Sequence, residues 1–120
     1  MAEGRASQKC VFCRIAAHEL PAVTVHEDDD TIAFRDLDPR APVHVLIIPK
    51  RHIGSVNDVG AAEAALIGHL FMVARTIAAA TGVADSGYRL VMNTGPDAGQ
   101  SVGHAHLHLL GGRALQWPPG

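Results

Sequence analysis

Two rhythms of apolar and polar residues run along this chain, and each places elements. Val11, Phe12, Ile15 and Ala16 recur at helical spacing, which predicts a short helix over 11–20 ended by Pro21. Residues 23–26 read as a strand, Glu27 to Asp30 as a turn, and 31–36 as the return arm of a hairpin. The stretch 43–48 is apolar except for His44 and lies between Pro42 and Pro49, which predicts another strand. Asp58 can cap a long helix over 60–81, whose stripe is Leu66, Leu70, Val73 and Ile77 and whose stop is Gly82. Residues 88–93 predict a strand, 94–103 a Gly-rich loop, and 104–110 a last strand. The order α-β-β-β-α-β-β implies an α+β fold: a five-stranded antiparallel sheet with one long and one short helix.

Composition narrows the reading. At 120 residues one domain is expected over 9–120, preceded by a flexible polar tail over 1–8. A hydrophobic fraction of 48% with 18% charged residues fits a folded chain that can bury a modest core. The net charge of −2, with no long basic stretch, argues against a nucleic-acid partner. No unbroken apolar run has the length of a membrane span, and the first residues lack the apolar core of a signal peptide. A cytoplasmic protein with no membrane partner is expected. The two cysteines, Cys10 and Cys13, then read as thiols or metal ligands rather than a disulfide.

The chemistry concentrates in His104-Ala105-His106-Leu107-His108, which holds three of the chain's eight histidines. A strand sends alternate side chains to one face, so three imidazoles are expected side by side, roughly 6–7 Å apart. Ala105, Leu107 and Leu109 would face a core. Three readings are open: a metal site, nucleophilic catalysis by a neutral imidazole, or a set of solvated rings. The preceding loop favours a phosphate over a bare metal cage. Its glycines let backbone N–H groups approach an anion, and Asn93, Gln100 and Ser101 add neutral donors.

The whole chain resembles the histidine triad superfamily of nucleotide hydrolases and transferases. His104 to Leu110 matches the motif His-φ-His-φ-His-φ-φ, with φ apolar. Phe34-Arg35-Asp36-Leu37, Ala41-Pro42-Val43-His44, Ile48-Pro49-Lys50-Arg51-His52-Ile53 and Gly99-Gln100-Ser101-Val102 follow in the family order. The ending, from Gly111-Gly112-Arg113 through Trp117-Pro118-Pro119-Gly120, is similar to the Hint branch, the histidine triad nucleotide-binding proteins.

The resemblance implies a purine nucleoside phosphoramidase. His106 would attack the α-phosphorus of a nucleoside 5′-phosphoramidate and form a covalent nucleotidyl-histidine, which water then hydrolyses. His44 would help orient the nucleophile, the His104 carbonyl would hold its other nitrogen, and His108 would contact the phosphate and help protonate the leaving group. Asp36 and Leu37 would hold the ribose. Val11, Phe12, Ile15, Leu20 and Phe34 would form the purine cleft, and Asn93, Gly99, Gln100 and Ser101 the phosphate side. Read without the family, Asp36 is equally a turn residue before Pro39, and the apolar set is plain core. The resemblance further implies a homodimer with joined sheets and Trp117 reaching the partner's site.

Cys10-Val11-Phe12-Cys13 is a lone C-x-x-C pair, weak evidence for metal by itself. In the superfamily such a pair joins a histidine of the Pro-Lys-x-His segment and the first triad histidine, here His52 and His104. Together they would form a closed structural zinc site. The plain alternative is two reduced, buried cysteines. Gly103 and Ala105 are smaller than the residues many relatives carry, which bears on pocket shape. Two other functions compete: a dinucleoside polyphosphate hydrolase of the fragile histidine triad branch, and a nucleotide-binding regulatory scaffold. A nucleotidyltransferase is disfavoured because such enzymes carry Gln where this chain has His108.

Overall fold

The alternation resolves into one antiparallel sheet with a helix on each face. The computed structural model describes residues 9–120, and the tail expected over 1–8 lies outside the described residues. The elements are α1 (Val11–Ala16), β1 (Thr24–Glu27), β2 (Thr31–Arg35), β3 (Val43–Pro49), α2 (Ala64–Ala80), β4 (Tyr88–Val91) and β5 (Leu107–Gly111). Strand order is β1-β2-β3-β5-β4, so β3 is central, and β1 and β4 are edges.

Register decides what each face carries. β3 pairs with β5 so that Val45 meets Leu109 and Ile47 meets Leu107, while His44 meets Leu110 and Leu46 meets His108. Because side chains alternate, Val45, Ile47, Leu107 and Leu109 share one face. There they pack with Ala33 against Leu70, Val73, Ala74 and Ile77 of α2. Ile32, Phe34, Leu46 and Ile48 lie on the other face, under Phe12 and Ile15 of α1. Each fully buried aliphatic residue adds about 1.5–3 kcal/mol to these layers.

Several boundaries differ from the sequence expectation. The first helix ends at Ala16, because the chain turns through His18 at φ 61° and the Glu19 amide bonds back to the Arg14 carbonyl. The long helix begins with a 3-10 turn, Ala61–Glu63, before α2 proper. β4 stops at Val91 rather than running to residue 93. The last strand starts at Leu107, so His104 and His106 precede the regular ladder. Its partner β3 ends at Pro49, which has no N–H to donate, and the Ala105 amide bonds to the Ile53 carbonyl instead. The segment Ala61–Ala80, of 20 residues with mean hydropathy 1.3, is long and apolar enough to cross a membrane, unlike the reading from unbroken runs. Here its apolar stripe is committed to the sheet.

Asp28 fastens the β1–β2 turn to α2. Its Oδ2 accepts from His26 Nε2 at 2.8 Å, His69 Nε2 at 2.9 Å and Thr31 Oγ1 at 2.7 Å. Its Oδ1 accepts the Asp30 and Thr31 amides, both at 2.9 Å. Burial alone would push this carboxyl up, but the donors from His26, His69, Thr31 and Asp30 together hold it far below its ordinary value. A carboxylate depressed in the folded state stabilises above its ordinary range and ceases to do so as pH falls below that range. Asp28→Ala is therefore expected to cost roughly 2 kcal/mol at neutral pH in urea unfolding. The gap from wild type should narrow in acid, and an unchanged midpoint at pH 7 would refute the role.

Candidate active site

The hydrogen bonds of the histidines fix which nitrogen of each ring carries a proton. His106 Nδ1 lies 2.8 Å from the His104 carbonyl, which can only accept. The proton of a neutral His106 is thus on Nδ1, and Nε2 keeps its lone pair. His44 Nδ1 lies 3.0 Å from the Arg40 backbone N–H, which can only donate, so Nε2 of His44 bears the hydrogen. That hydrogen points to His108 Nδ1 at 3.0 Å. His108 therefore presents Nε2–H. The rings of His106 and His108 are 4.9 Å apart, closer than ideal strand spacing, so a bare nitrogen and an N–H sit side by side.

Burial disfavours the charged form of His44 and His108. His44 is 7% and His106 4% exposed. Burial pushes His108 down to about 4, helped by the neighbouring His106 and His44 and opposed by Asp36. His44 is lowered chiefly by burial too, with Asp36 opposing. Asp36, His44 and His108 are close enough to suggest a second metal-binding group. The Arg40 amide argues against it, because it occupies Nδ1 of His44 and leaves Nε2 protonated rather than free to ligate.

His106 and His108 open into a cleft of about 230 Å³ between α1 and the sheet. Val11, Phe12, Ile15 and Phe34 give it apolar walls, and Asp36, Leu37 and Ser101 line it as well. Phe12 meets Phe34 edge-on at 5.5 Å and His106 at 5.1 Å. An apolar slot that also carries a carboxylate and two imidazoles can take an aromatic base, a sugar and a phosphate.

Beside this cleft, Cys10, Cys13, His52 and His104 place four ligand atoms within 4.8 Å of one another. Cys13 Sγ is 3.1 Å from His52 Nδ1 and 3.5 Å from His104 Nδ1, and Cys10 Sγ is 3.3 Å from His104 Nδ1. A tetrahedral zinc with two sulfur and two nitrogen ligands separates ligand atoms by about 3.4–3.8 Å, so these spacings need only small adjustments to accept an ion. The donor chemistry also fits. His104 Nε2 lies 2.8 Å from the Pro49 carbonyl and must donate to it, which leaves Nδ1 bare and facing sulfur. Neither cysteine is in a disulfide.

The structure does not bring every expected residue to the cleft. Gln100 is a brace: its amide donates to the Gly54 and Val102 carbonyls at 2.8 and 3.0 Å and accepts the Gly95 amide at 2.9 Å. Gly99, at φ 85°, closes the 3-10 turn Pro96–Ala98, and neither it nor Asn93 or Leu20 lines the cleft. His44 is bonded to His108 rather than to His106. Trp117 is 81% exposed, so the rest of the chain covers little of it. Pro21, Ala22, Arg35, Leu46 and Val102 also line the cleft. Arg35 and Val102 stand in segments that resemble the family, and Leu46 sits two residues from His44 on a strand and so shares its face.

Known proteins share this fold. The HIT domain matches residues 17–115. An uncharacterized HIT-like protein of Synechococcus elongatus is 51% identical over 114 residues, covering 95% of this chain and 99% of that protein. The crystal structure of a HIT family hydrolase from Legionella pneumophila superposes with a TM-score of 0.92 at 50% identity, covering 93% of this chain and 100% of that one. A more distant relative, the histidine triad nucleotide-binding protein of Candida albicans, gives 0.77 at 29% identity, covering 92% and 83%. With the domain match over most of its length and relatives at about half identity, this chain belongs to the HIT domain family.

Proposed function

We propose that this protein is a nucleotide hydrolase that cleaves the P–N bond of purine nucleoside 5′-phosphoramidates, such as AMP-amine or AMP-lysine. The observation that carries the reading is the bare Nε2 of His106, held by the 2.8 Å bond from Nδ1–H to the His104 carbonyl and set in the cleft beside Phe12. The hydrolase described from Legionella and the nucleotide-binding protein from Candida support both halves of it.

In the first half-reaction His106 Nε2 bonds to the α-phosphorus, the P–N bond breaks, and the amine leaves with one proton taken up. In the second, water attacks the phosphorus, the bond to His106 breaks, and a proton is returned. Nucleoside monophosphate is released. Retaining the Nδ1–H bond stabilises the imidazolium as the covalent bond forms. His108 Nε2–H faces the developing charge on phosphoryl oxygen and leaving nitrogen, a contact worth a few kcal/mol in a site shielded from water. Asp36 would take the sugar hydroxyls, and Phe12, Ile15 and Phe34 the purine. Zinc on Cys10, Cys13, His52 and His104 would supply a structural clamp and no chemical step.

A homodimer belongs to this reading, because Trp117 is exposed on its own protomer and the family likeness sets it against the partner's site. So do a single domain over 9–120 and a cytoplasmic location. The test is release of AMP from adenosine 5′-phosphoramidate by the purified protein. Its pH profile is a second check. Protonating His108 would put two donors, His44 Nε2–H and His108 Nδ1–H, face to face. Since His108 is held down to about 4, its own contribution to an acid limb of kcat/KM should appear only near 4. The spontaneous acid rate is subtracted, and a limb near the ordinary histidine value that is present in wild type and lost in His108→Gln would refute this role for His108.

A further inference from the structure

One hydrogen in this site faces two acceptors. His44 Nε2 lies 3.0 Å from His108 Nδ1 and 3.4 Å from Asp36 Oδ2. The Arg40 amide occupies His44 Nδ1, so neutral His44 has no second hydrogen to offer. Asp36 Oδ1 accepts the Asp38 amide at 2.8 Å, which leaves Oδ2 as the oxygen turned to His44. The Asp36 side chain is 20% and that of His44 4% exposed, so water screens this contact weakly. Asp36 also lines the cleft, where a substrate can reach it.

We infer that Asp36 is a positioning residue that couples recognition of the sugar diol to the tautomer of His108. The inference rests on the nucleotide reading above. With Asp36 uncompensated, its carboxylate draws the His44 hydrogen toward itself. As the His44 N–H turns toward Asp36, His108 Nδ1 loses its donor and no longer faces a hydrogen, so its own proton can settle there instead of on Nε2. A lone pair rather than an N–H would face the phosphate, and it repels the phosphoryl oxygens. A 2′,3′-diol donating to Asp36 offsets the pull and commits the His44 hydrogen to His108. Nε2–H then points at the phosphate. The site thus reads the sugar in the rate of reaction as well as in affinity, and the favoured substrates are nucleotides with an intact vicinal diol.

The experiment compares adenosine and 2′,3′-dideoxyadenosine 5′-phosphoramidates on wild type, Asp36→Ala and Asp36→Asn. In wild type, loss of the diol should lower kcat about tenfold in addition to raising KM. In Asp36→Ala the competitor for the hydrogen is gone, so kcat for the two substrates should converge to within about twofold. A carboxylate that only binds ribose would change KM in wild type and leave kcat alone, and that result overturns the inference. The tautomer is read directly from imidazole ¹⁵N shifts of the wild-type protein with AMP and with 2′,3′-dideoxy-AMP. His108 should carry its proton on Nε2 with AMP and divide between both nitrogens with the dideoxy nucleotide. Identical spectra overturn the coupling. If wild type cleaves neither phosphoramidate, the hydrolase reading fails, and the spectra still decide this one.

Discussion

Replacing His106 with alanine is expected to abolish AMP release from adenosine 5′-phosphoramidate, by roughly 10⁴-fold or more, while AMP still binds. No other ring in the site can take over. His108 presents an N–H rather than a lone pair, and His104 turns its bare nitrogen toward Cys10 and Cys13. The variant loses one edge contact to Phe12, whose main partners, Phe34 and the apolar wall, remain. AMP affinity should therefore change by less than about tenfold, read by calorimetry. Acid-stable tagging will not serve, because phosphoimidazole bonds are labile in acid. Rapid mixing into alkali followed by mass spectrometry should show one adenylyl group in wild type and none in the variant. Persistence of turnover in His106→Ala would remove the nucleophile from the mechanism. Absence of turnover in wild type, with AMP bound, would favour a dinucleoside polyphosphate hydrolase or a regulatory nucleotide-binding protein.

The architecture was legible because it rests on periodicity. The stripe of Leu70, Val73 and Ile77 found the sheet face made by Val45, Ile47, Leu107 and Leu109, all of them apolar at the spacing their element demands. The histidine motif pointed to the site for the same reason: alternation at period two sends His106 and His108 to one side. What stayed hidden depends on partners far away in sequence. The strand does not extend back to His104, because Pro49 has no N–H and the Ala105 amide goes to Ile53, while the His104 ring meets Cys10, Cys13 and the carbonyl of Pro49, 55 residues earlier. Gln100 looked like a free donor in a Gly-rich loop. Its reach to Gly54, across 46 residues, turns it into a brace. The partnership of His44 with His108 spans 64 residues and no local pattern announces it. His18, His26 and His69 showed no pattern either, and all three settle on the adjacent carboxylates Glu27 and Asp28.

Stripping metal is expected to have the largest effect on stability. The purified protein should carry about one zinc per chain, and a strong chelator should lower its thermal midpoint by roughly 10 °C or more. The reason lies in α1, which has only 6 residues. A helix that short has too few internal hydrogen bonds to outweigh its nucleation cost in water. Its place on the sheet rests on Phe12 and Ile15, together with whatever ties Cys10 and Cys13 to His52 and His104. Cys13→Ser should lose the metal and much of the same stability. Chelation of wild type separates the ion from the cost of the substitution. Phe12 sits between the two cysteines and also walls the cleft, so metal-free protein should bind AMP more weakly with His106 untouched. If no metal is found and chelators leave the midpoint unchanged, Cys10 and Cys13 are reduced thiols hydrogen-bonded to imidazoles. The anchor of α1 is then the apolar contact of Phe12 and Ile15 together with those hydrogen bonds.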